Sequence, residues 1–194
     1  MIRAVTSNSD AELVARLQAG DADAFDAAYE RYARRLYRFL LRLCRSRHAA
    51  EDVLQETWLK LATRAHDLAA DTDLAAWLFT VARNGWVSRA RHEGKLVELG
   101  ADDDERSGAD PSPEASAVLA SSVRALERAL SSLGEADREI LLLVGVEELG
   151  QRVAAAVLGV GEVVFRQRLH RARTRLVAAL ENTAPRASSD WTDE

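Results

Sequence analysis

Residues 152–180 read RVAAAVLGVGEVVFRQRLHRARTRLVAAL. A short apolar segment ends at Gly159, and the Gly159-Val-Gly161 turn separates it from a second segment that starts at Glu162. In the second segment the apolar residues recur at steps of three and four, which is typical of one buried helix face. They are Phe165, Leu169, Ala172, Leu176 and Leu180. A short helix, a glycine turn and a long helix predict a helix-turn-helix, whose second helix can lie in the major groove of DNA.

The remaining faces of that second helix are basic. No acidic residue occurs between Glu162 and Glu181, and the exposed positions are predicted to be Arg166, Gln167, Arg168, His170, Arg171, Arg173 and Arg175. Arginines can neutralise phosphates, and Gln167 or an arginine near the helix start can reach base edges. The alternative is an arginine-rich helix that is only solvated.

The rest of the chain also has a helical composition, because alanine and leucine are frequent and only three prolines occur in 194 residues. Residues 98–114 hold seven acidic residues and one basic residue, so this segment alone is more negative than the whole chain, whose formal net charge is −5. This segment lacks apolar periodicity and contains two glycines and two prolines, so we predict a flexible acidic linker. The sequence therefore predicts an all-α protein with two small helical domains at residues 1–97 and 115–182, followed by a tail at residues 183–194. Ser112 before Pro113 is the predicted start of the first helix after the linker.

The first of these domains contains an amphipathic helix whose apolar stripe starts at Phe25. Its apolar stripe is Phe25, Tyr29, Tyr32, Leu36, Phe39, Leu40 and Leu43, and its outer face is rich in arginine. A second helix is predicted at residues 49–65, and its surface carries Asp52, Gln55, Glu56 and Leu59. This patch places hydrogen-bond acceptors around an apolar contact and suits docking onto another helix pair, although a capping or solvent-facing role is the alternative.

A third helix is predicted at residues 74–91, with Asp71 or Thr72 as its N-cap. Trp77, Phe79 and Trp86 alternate along it with Arg83, Asn84, Arg89 and Arg91. Aromatic faces beside guanidinium groups can stack bases and hold the phosphates of single-stranded nucleic acid. In the alternative, the aromatics belong to the core. On the residues alone we expect Trp77 to be core and leave Trp86 open.

Other classes find no support in the sequence. Cys44 is the single cysteine, the four histidines lack metal-ligand spacing, and no nucleophile is paired with a base. The longest aliphatic run is far shorter than a bilayer span, and the N-terminus has no apolar signal core. We therefore expect a soluble, cytoplasmic protein that is not an enzyme and has no cofactor, bound metal or membrane partner.

Four motifs occur in an order that resembles the bacterial sigma factor family, and most closely its small, two-domain extracytoplasmic-function (ECF) group. They are AEDVLQETW at residues 50–58, AWLFTVARN at residues 76–84, DREILLL at residues 137–143, and LGV at residues 158–160 together with RLHRAR at residues 168–173. The resemblance covers roughly residues 10–181, and four ordered motifs are more specific than any one alone.

The resemblance implies a function and a set of partners. In that family the first domain, region 2, binds the β′ clamp helices of core RNA polymerase and melts the −10 promoter element, and the second, region 4, binds the β flap and the −35 element. By position it assigns polymerase binding to Asp52, Gln55, Glu56 and Leu59, contact with the −10 element to Trp77, Arg83, Asn84 and Arg89, and contact with the −35 element to Arg166, Gln167, Arg168 and Arg171. It further implies promoter DNA and an anti-sigma factor as partners. We expect Asp52 and Gln55 to be exposed.

The helix-turn-helix departs from the family pattern. Val153, Val163 and Val164 stand where the family has an acidic residue, a glycine and a threonine. Such an apolar motif predicts either extra core packing or a protein contact. The alternative function is therefore a sigma-like interaction protein whose second domain binds a regulator instead of DNA. A plain helix-turn-helix repressor would leave the Asp52 patch unexplained. Residues 142–147, LLVGVE, resemble sigma factors of the general stress response.

Overall fold

The computed structural model describes residues 3–92 and 113–183. The first 15 residues of the predicted linker, 98–112, and all but the first residue of the predicted tail lie outside the described residues. Within the described ranges every regular element is a helix, which confirms the predicted all-α class. None of these helices is long and apolar enough to cross a membrane.

The first domain is a bundle of four α-helices and one short 3₁₀ turn. These elements are α1 (Arg3–Gln18), α2 (Ala22–Cys44), α3 (Arg47–Arg64), the 3₁₀ turn (Ala65–Asp67) and α4 (Leu74–His92). Side-chain caps fix the starts of the last three α-helices: Asp21 accepts from the Asp23 amide, Ser46 from the Ala49 amide and Asp73 from the Ala76 amide. The expectation of Asp71 or Thr72 as the cap of α4 was wrong, because Asp73 lies immediately before the helix and reaches its third residue.

The core of this bundle follows the predicted stripe of α2. Tyr32, Leu36, Phe39, Leu40 and Leu43 are buried, and the ring of Phe39 meets that of Phe79 on α4 edge to face at 5.3 Å. Tyr29 is an exception to the prediction, because about half of it is exposed where its ring tilts over Trp58 at 4.9 Å.

Helices α3 and α4 approach closely at Gly85. A Cβ atom at that position would lie 3.1 Å from Cγ1 of Val53, so a residue without a side chain allows the two backbones to pack together. This close packing brings the surface residues of α3 beside those of α4.

The second domain contains the helix-turn-helix. Its elements are α5 (Pro113–Ser132), α6 (Glu135–Leu141), a π-helical turn (Leu142–Val146), α7 (Gln151–Leu158) and α8 (Glu162–Thr183). Helix α5 begins at Pro113, as predicted, and α7 ends at Gly159, whose φ of 65° places it in the left-handed region. Phe165, Leu169 and Ala172 of α8 are buried against the preceding helices, which confirms the first three positions of the predicted apolar face. Leu176 and Leu180, its last two positions, are half-buried.

The two domains pack against each other. Helix α4 contacts α7, and α2 contacts both α6 and the π-helical turn. The sequence did not predict this interface, which places the predicted −10 segment on α4 next to the helix-turn-helix.

Candidate nucleic-acid interface

The predicted polymerase-binding patch lies on α3. Gln55, Glu56 and Leu59 are exposed, and Leu59 is 63% exposed even though it is a large apolar side chain. Asp52 differs from the expectation, because it is only half-exposed and accepts a hydrogen bond from Arg89 of α4 at 2.6 Å. The reason is the close packing of α3 and α4, which lets Arg89 reach back to the carboxylate.

A cavity of about 490 Å³ opens between α3 and α4 beside this patch. Trp77 and Asn84, both predicted to contact the −10 element, line it together with Val81 of α4. The opposite wall holds Lys60, Arg64, Asp67 and Leu68. An indole, an amide and two cationic side chains together can hold a planar base and its phosphate.

The sequence patterns did not identify two of the residues that line this cavity. Lys60 and Arg64 are exposed cations one turn apart on α3, and their spacing shows that they share a face. Their position opposite Trp77 depends on how α3 and α4 pack, which a local pattern does not reveal.

For the two tryptophans of α4, the residues alone predicted a core position for Trp77 and left Trp86 open, and the structure decides both positions. Trp86 is buried in the core, whereas Trp77 is half-buried at the cavity wall. Both tryptophans lie on α4, so the face of α4 that packs on the rest of the bundle determines which of them is buried.

Arg83 is not free in this structure. Its Nε donates to the Glu139 carboxylate of α6 at 2.6 Å, across the interface between the domains. Glu139 is almost completely buried, and this burial raises the pKa of its carboxyl group while Arg83 opposes the shift. The predicted −10 arginine is therefore bound to the second domain.

Arg35 makes a second contact across the same interface. It donates to the Glu147 carboxylate at 3.2 Å and to the Glu147 carbonyl oxygen at 2.6 Å. Burial raises the pKa of the Glu147 carboxyl group, and Arg35 is the main opposing cation. The Arg35 guanidinium also lies 5.8 Å from the Phe79 ring centre, so it is held by aromatic and acidic groups together.

The predicted −35 residues on α8 are all exposed. Arg166, Gln167, Arg168 and Arg171 extend from one basic surface and have no hydrogen bond or ion pair within the residues that the structure describes. Val163 and Val164 at the start of the helix are 60% and 44% exposed, so they do not serve as extra core packing.

No group of three or more histidine, cysteine, aspartate or glutamate side chains within the described ranges could hold a metal ion. The described side chains form two basic or aromatic surfaces, which are the α3–α4 cavity and the exposed side of α8. A mixed polar and apolar patch on α3 is the third surface.

Comparison with known proteins matches both domains to one family. The Sigma-70 region 2 family matches residues 28–96, and the Sigma-70 region 4 family matches residues 123–176. The ECF RNA polymerase sigma factor SigM of Bacillus subtilis is 33% identical over 153 residues, which is 79% of this chain and 93% of SigM. The chain belongs to the ECF sigma factor family. Its role is that of a sigma factor, a regulator of transcription initiation.

Two solved structures resemble this ECF sigma factor. One is RpoE of Bartonella quintana in complex with the anti-sigma factor NepR, with 26% identity, a TM-score of 0.61 and coverage of 75% of this chain and 89% of RpoE. The other is CnrH in complex with the cytosolic domain of CnrY, with 24% identity, a TM-score of 0.67 and coverage of 89% and 97%. The second likeness concerns the fold alone.

Proposed function

We propose that this sigma factor binds core RNA polymerase through the α3 patch, captures bases of the −10 element in the α3–α4 cavity, and lays α8 on the −35 element. The cavity carries this proposal, because it joins Trp77 and Asn84 to the cations Lys60 and Arg64 next to the exposed Leu59. Promoter opening needs no covalent step, since binding of unstacked bases offsets the cost of separating them.

The α3 patch fits a protein partner better than it fits nucleic acid. Gln55 and Glu56 offer hydrogen-bond groups of neutral or negative character, and Leu59 offers an apolar contact. We assign this patch to the β′ clamp helices and the second domain to the β flap. The patch and the cavity lie on neighbouring helices, so one domain can hold polymerase and the displaced DNA strand together.

A substitution in the patch tests polymerase binding. Leu59→Asp should weaken binding to core polymerase at least about tenfold, because an apolar side chain of this size contributes roughly 1.5–3 kcal/mol when it is buried. Titration of labelled chain with core enzyme measures this effect. Ala69→Asp, at an exposed position outside the patch, is the matched control and should bind like the unaltered chain. Equal affinity of Leu59→Asp and the unaltered chain would show that the patch is not part of the polymerase interface.

Promoter selection has its own test. DNA that co-purifies with polymerase carrying this chain should contain fragments that share two sequence elements and are absent from polymerase lacking the chain. Fragments with no shared element would contradict promoter recognition.

An anti-sigma factor is a further proposed partner. The RpoE relative was solved with one, and the exposed Val163 and Val164 give this chain an apolar surface that DNA contact does not require. The assignment to a general stress response rests only on residues 142–147 and stays a prediction.

The same valines favour a second candidate function, in which the second domain binds a protein regulator and not DNA. Salt dependence separates the two candidates. If α8 contacts phosphates, the affinity of the chain for promoter fragments should fall steeply as salt rises and should depend on Arg166 and Arg168. Binding to promoter fragments that is unchanged by salt or by loss of these arginines would favour the regulator function.

A further inference from the structure

Two valines are exposed at the start of the helix that is proposed to bind the −35 element. Val163 and Val164 lie in the first turn of α8, which begins at Glu162. The N-terminal residues of a recognition helix are the ones that contact base edges in the major groove. Contact with phosphates does not require apolar side chains at this place, but contact with base edges can use them.

Both valines share a face of α8 with Gln167. Gln167 is four positions after Val163 and three after Val164, so the three side chains are neighbours on the helix surface. This face points away from the one that buries Phe165 and Leu169. A glutamine can bind N6 and N7 of adenine together, and an apolar side chain can contact the C5-methyl group of thymine. Two apolar groups beside one amide therefore match a run of A·T base pairs.

The charges around the valines separate base edges from phosphates. Glu162 precedes the valines and is exposed. Its carboxylate is repelled by phosphates, but it can accept a hydrogen bond from the N4 amino group of cytosine. Arg166, Arg168 and Arg171 follow the valines, are exposed as well, and can bind phosphates. The first turn of α8 therefore suits the base edges of the groove, and the following turns suit the backbone beside it.

The second candidate function gives the same valines to a protein regulator, and the size of the apolar patch bears on this choice. A stable protein interface buries at least about 1,200 Å² in total and has an apolar core. The other large apolar side chains that are exposed in the described part of the second domain lie on other elements or, as Val177 does, about four turns further along α8. Two valines are enough to cover methyl groups of bases, but they are a small core for a protein interface.

We propose that Val163 and Val164 read the C5-methyl groups of thymines in the −35 element, next to the base that Gln167 contacts. The inference rests on the proposed function, because it requires α8 to lie in the major groove. It adds the chemical group that is read and the side chains that read it.

Replacing thymine by uracil tests the proposal, because this change removes the C5-methyl group and leaves the hydrogen-bonding groups of the base in place. The full chain first selects duplexes from a random-sequence library, and the enriched element is synthesised with each thymine changed singly to uracil. Fluorescence anisotropy at one fixed salt concentration measures the affinity of each duplex. We expect one or two thymines at which uracil weakens binding about fourfold, the effect of uncovering one methyl-sized group.

Serine variants identify the side chains that make the contact. Val163→Ser and Val164→Ser should each bind the thymine duplex about fourfold more weakly than the unaltered chain, and each should no longer distinguish thymine from uracil at its own position. Val177→Ser is the matched control, since it changes an exposed valine of the same helix, and it should keep the full preference for thymine. Circular dichroism checks the helix content of each variant, and the uracil series on the unaltered chain does not depend on any variant.

The outcomes separate this inference from the proposed function. Equal affinity of the unaltered chain for all thymine and uracil duplexes would overturn the inference, and so would an enriched element without thymine. A thymine preference that both Val163→Ser and Val164→Ser retain would overturn it as well. In each of these cases α8 still binds DNA, as the proposed function requires. Enrichment of no sequence at all would contradict the proposed −35 contact itself, and the inference would fall with it.

Discussion

The arginines of α4 and those of α8 have opposite surroundings in this protein, although both sets are assigned to DNA. Arg83 donates to Glu139 and Arg89 donates to Asp52, each at 2.6 Å. Arg166, Arg168 and Arg171 extend into solvent, with no ion pair to any residue that the structure describes. Basic residues alone therefore do not define a nucleic-acid-binding surface. The acidic residues that face them decide which basic side chains are available to bind DNA.

This difference has a functional consequence. Under the proposed function, helix α8 would bind duplex DNA without any rearrangement, whereas the −10 segment would have to exchange protein carboxylates for DNA. Such an exchange suits a segment that acts only after polymerase has bound, because it lowers the affinity of the free chain for single strands. The α3–α4 cavity resembles α8 in this respect, because its two cations, Lys60 and Arg64, are exposed.

The largest expected effect concerns α8. Replacing Arg166, Arg168 and Arg171 together by alanine should lower the affinity of the free chain for duplex DNA roughly 100-fold at low salt and should reduce the salt slope by about three, one for each lost phosphate contact. Fluorescence anisotropy at several salt concentrations measures both quantities. Arg83→Ala with Arg89→Ala is the comparison variant and should change duplex binding by the free chain very little. Equal losses in the two variants would erase the contrast between α4 and α8.

A smaller effect is expected from pH. Burial raises the pKa values of Glu139 and Glu147 in the folded chain. Arg83 and Glu135 act on the first carboxyl group, and the second faces Arg35, Arg38 and Arg42. Because these folded-state pKa values lie above the unfolded ones, the two groups favour folding most at low pH, and this contribution is lost as pH rises through the raised values.

Urea unfolding from pH 4.5, the ordinary pKa of a glutamate carboxyl group, up to pH 8 tests this linkage. The free energy of unfolding should fall with rising pH more steeply in the unaltered chain than in the Glu139→Gln, Glu147→Gln double variant. Parallel curves for the two proteins would show that the buried carboxyl groups do not titrate in this range.

The smallest effect is expected at Asp52. Its pair with Arg89 is partly exposed, so Asp52→Asn should cost at most about 1 kcal/mol of folding stability. Glu51→Gln on the same helix breaks a more exposed pair with Arg47 and should cost less. Thermal unfolding ranks the two variants, and a loss above roughly 2 kcal/mol for Asp52→Asn would mean that this ion pair supports the fold and is not a surface feature.

The parts of the fold that could be predicted are those with local signals. Gly159 and the apolar spacing from Phe165 onward predicted the helix-turn-helix, and the structure confirms it. The exposed positions of Gln55 and Leu59 followed from helical spacing in the same way. The patterns fall within single helices, so a local reading was sufficient.

The parts that could not be predicted depend on packing between distant segments. Arg83 is separated from Glu139 by 56 positions, and Arg35 from Glu147 by 112. Trp77 and Trp86 share one helix, and only the packing of α4 on the other helices decides which of them is buried. The charge of a side chain could be predicted from the sequence, but its partner could not.

The central claim, that this chain directs core polymerase to promoters, is tested most directly by reconstituted transcription. Core enzyme is incubated with genomic DNA fragments with and without the chain, and the 5′ ends of the transcripts are mapped. The account predicts discrete 5′ ends that appear only with the chain, that share elements near −10 and −35, and that are lost with Leu59→Asp but retained with Ala69→Asp. Transcripts that are the same with and without the chain would contradict it.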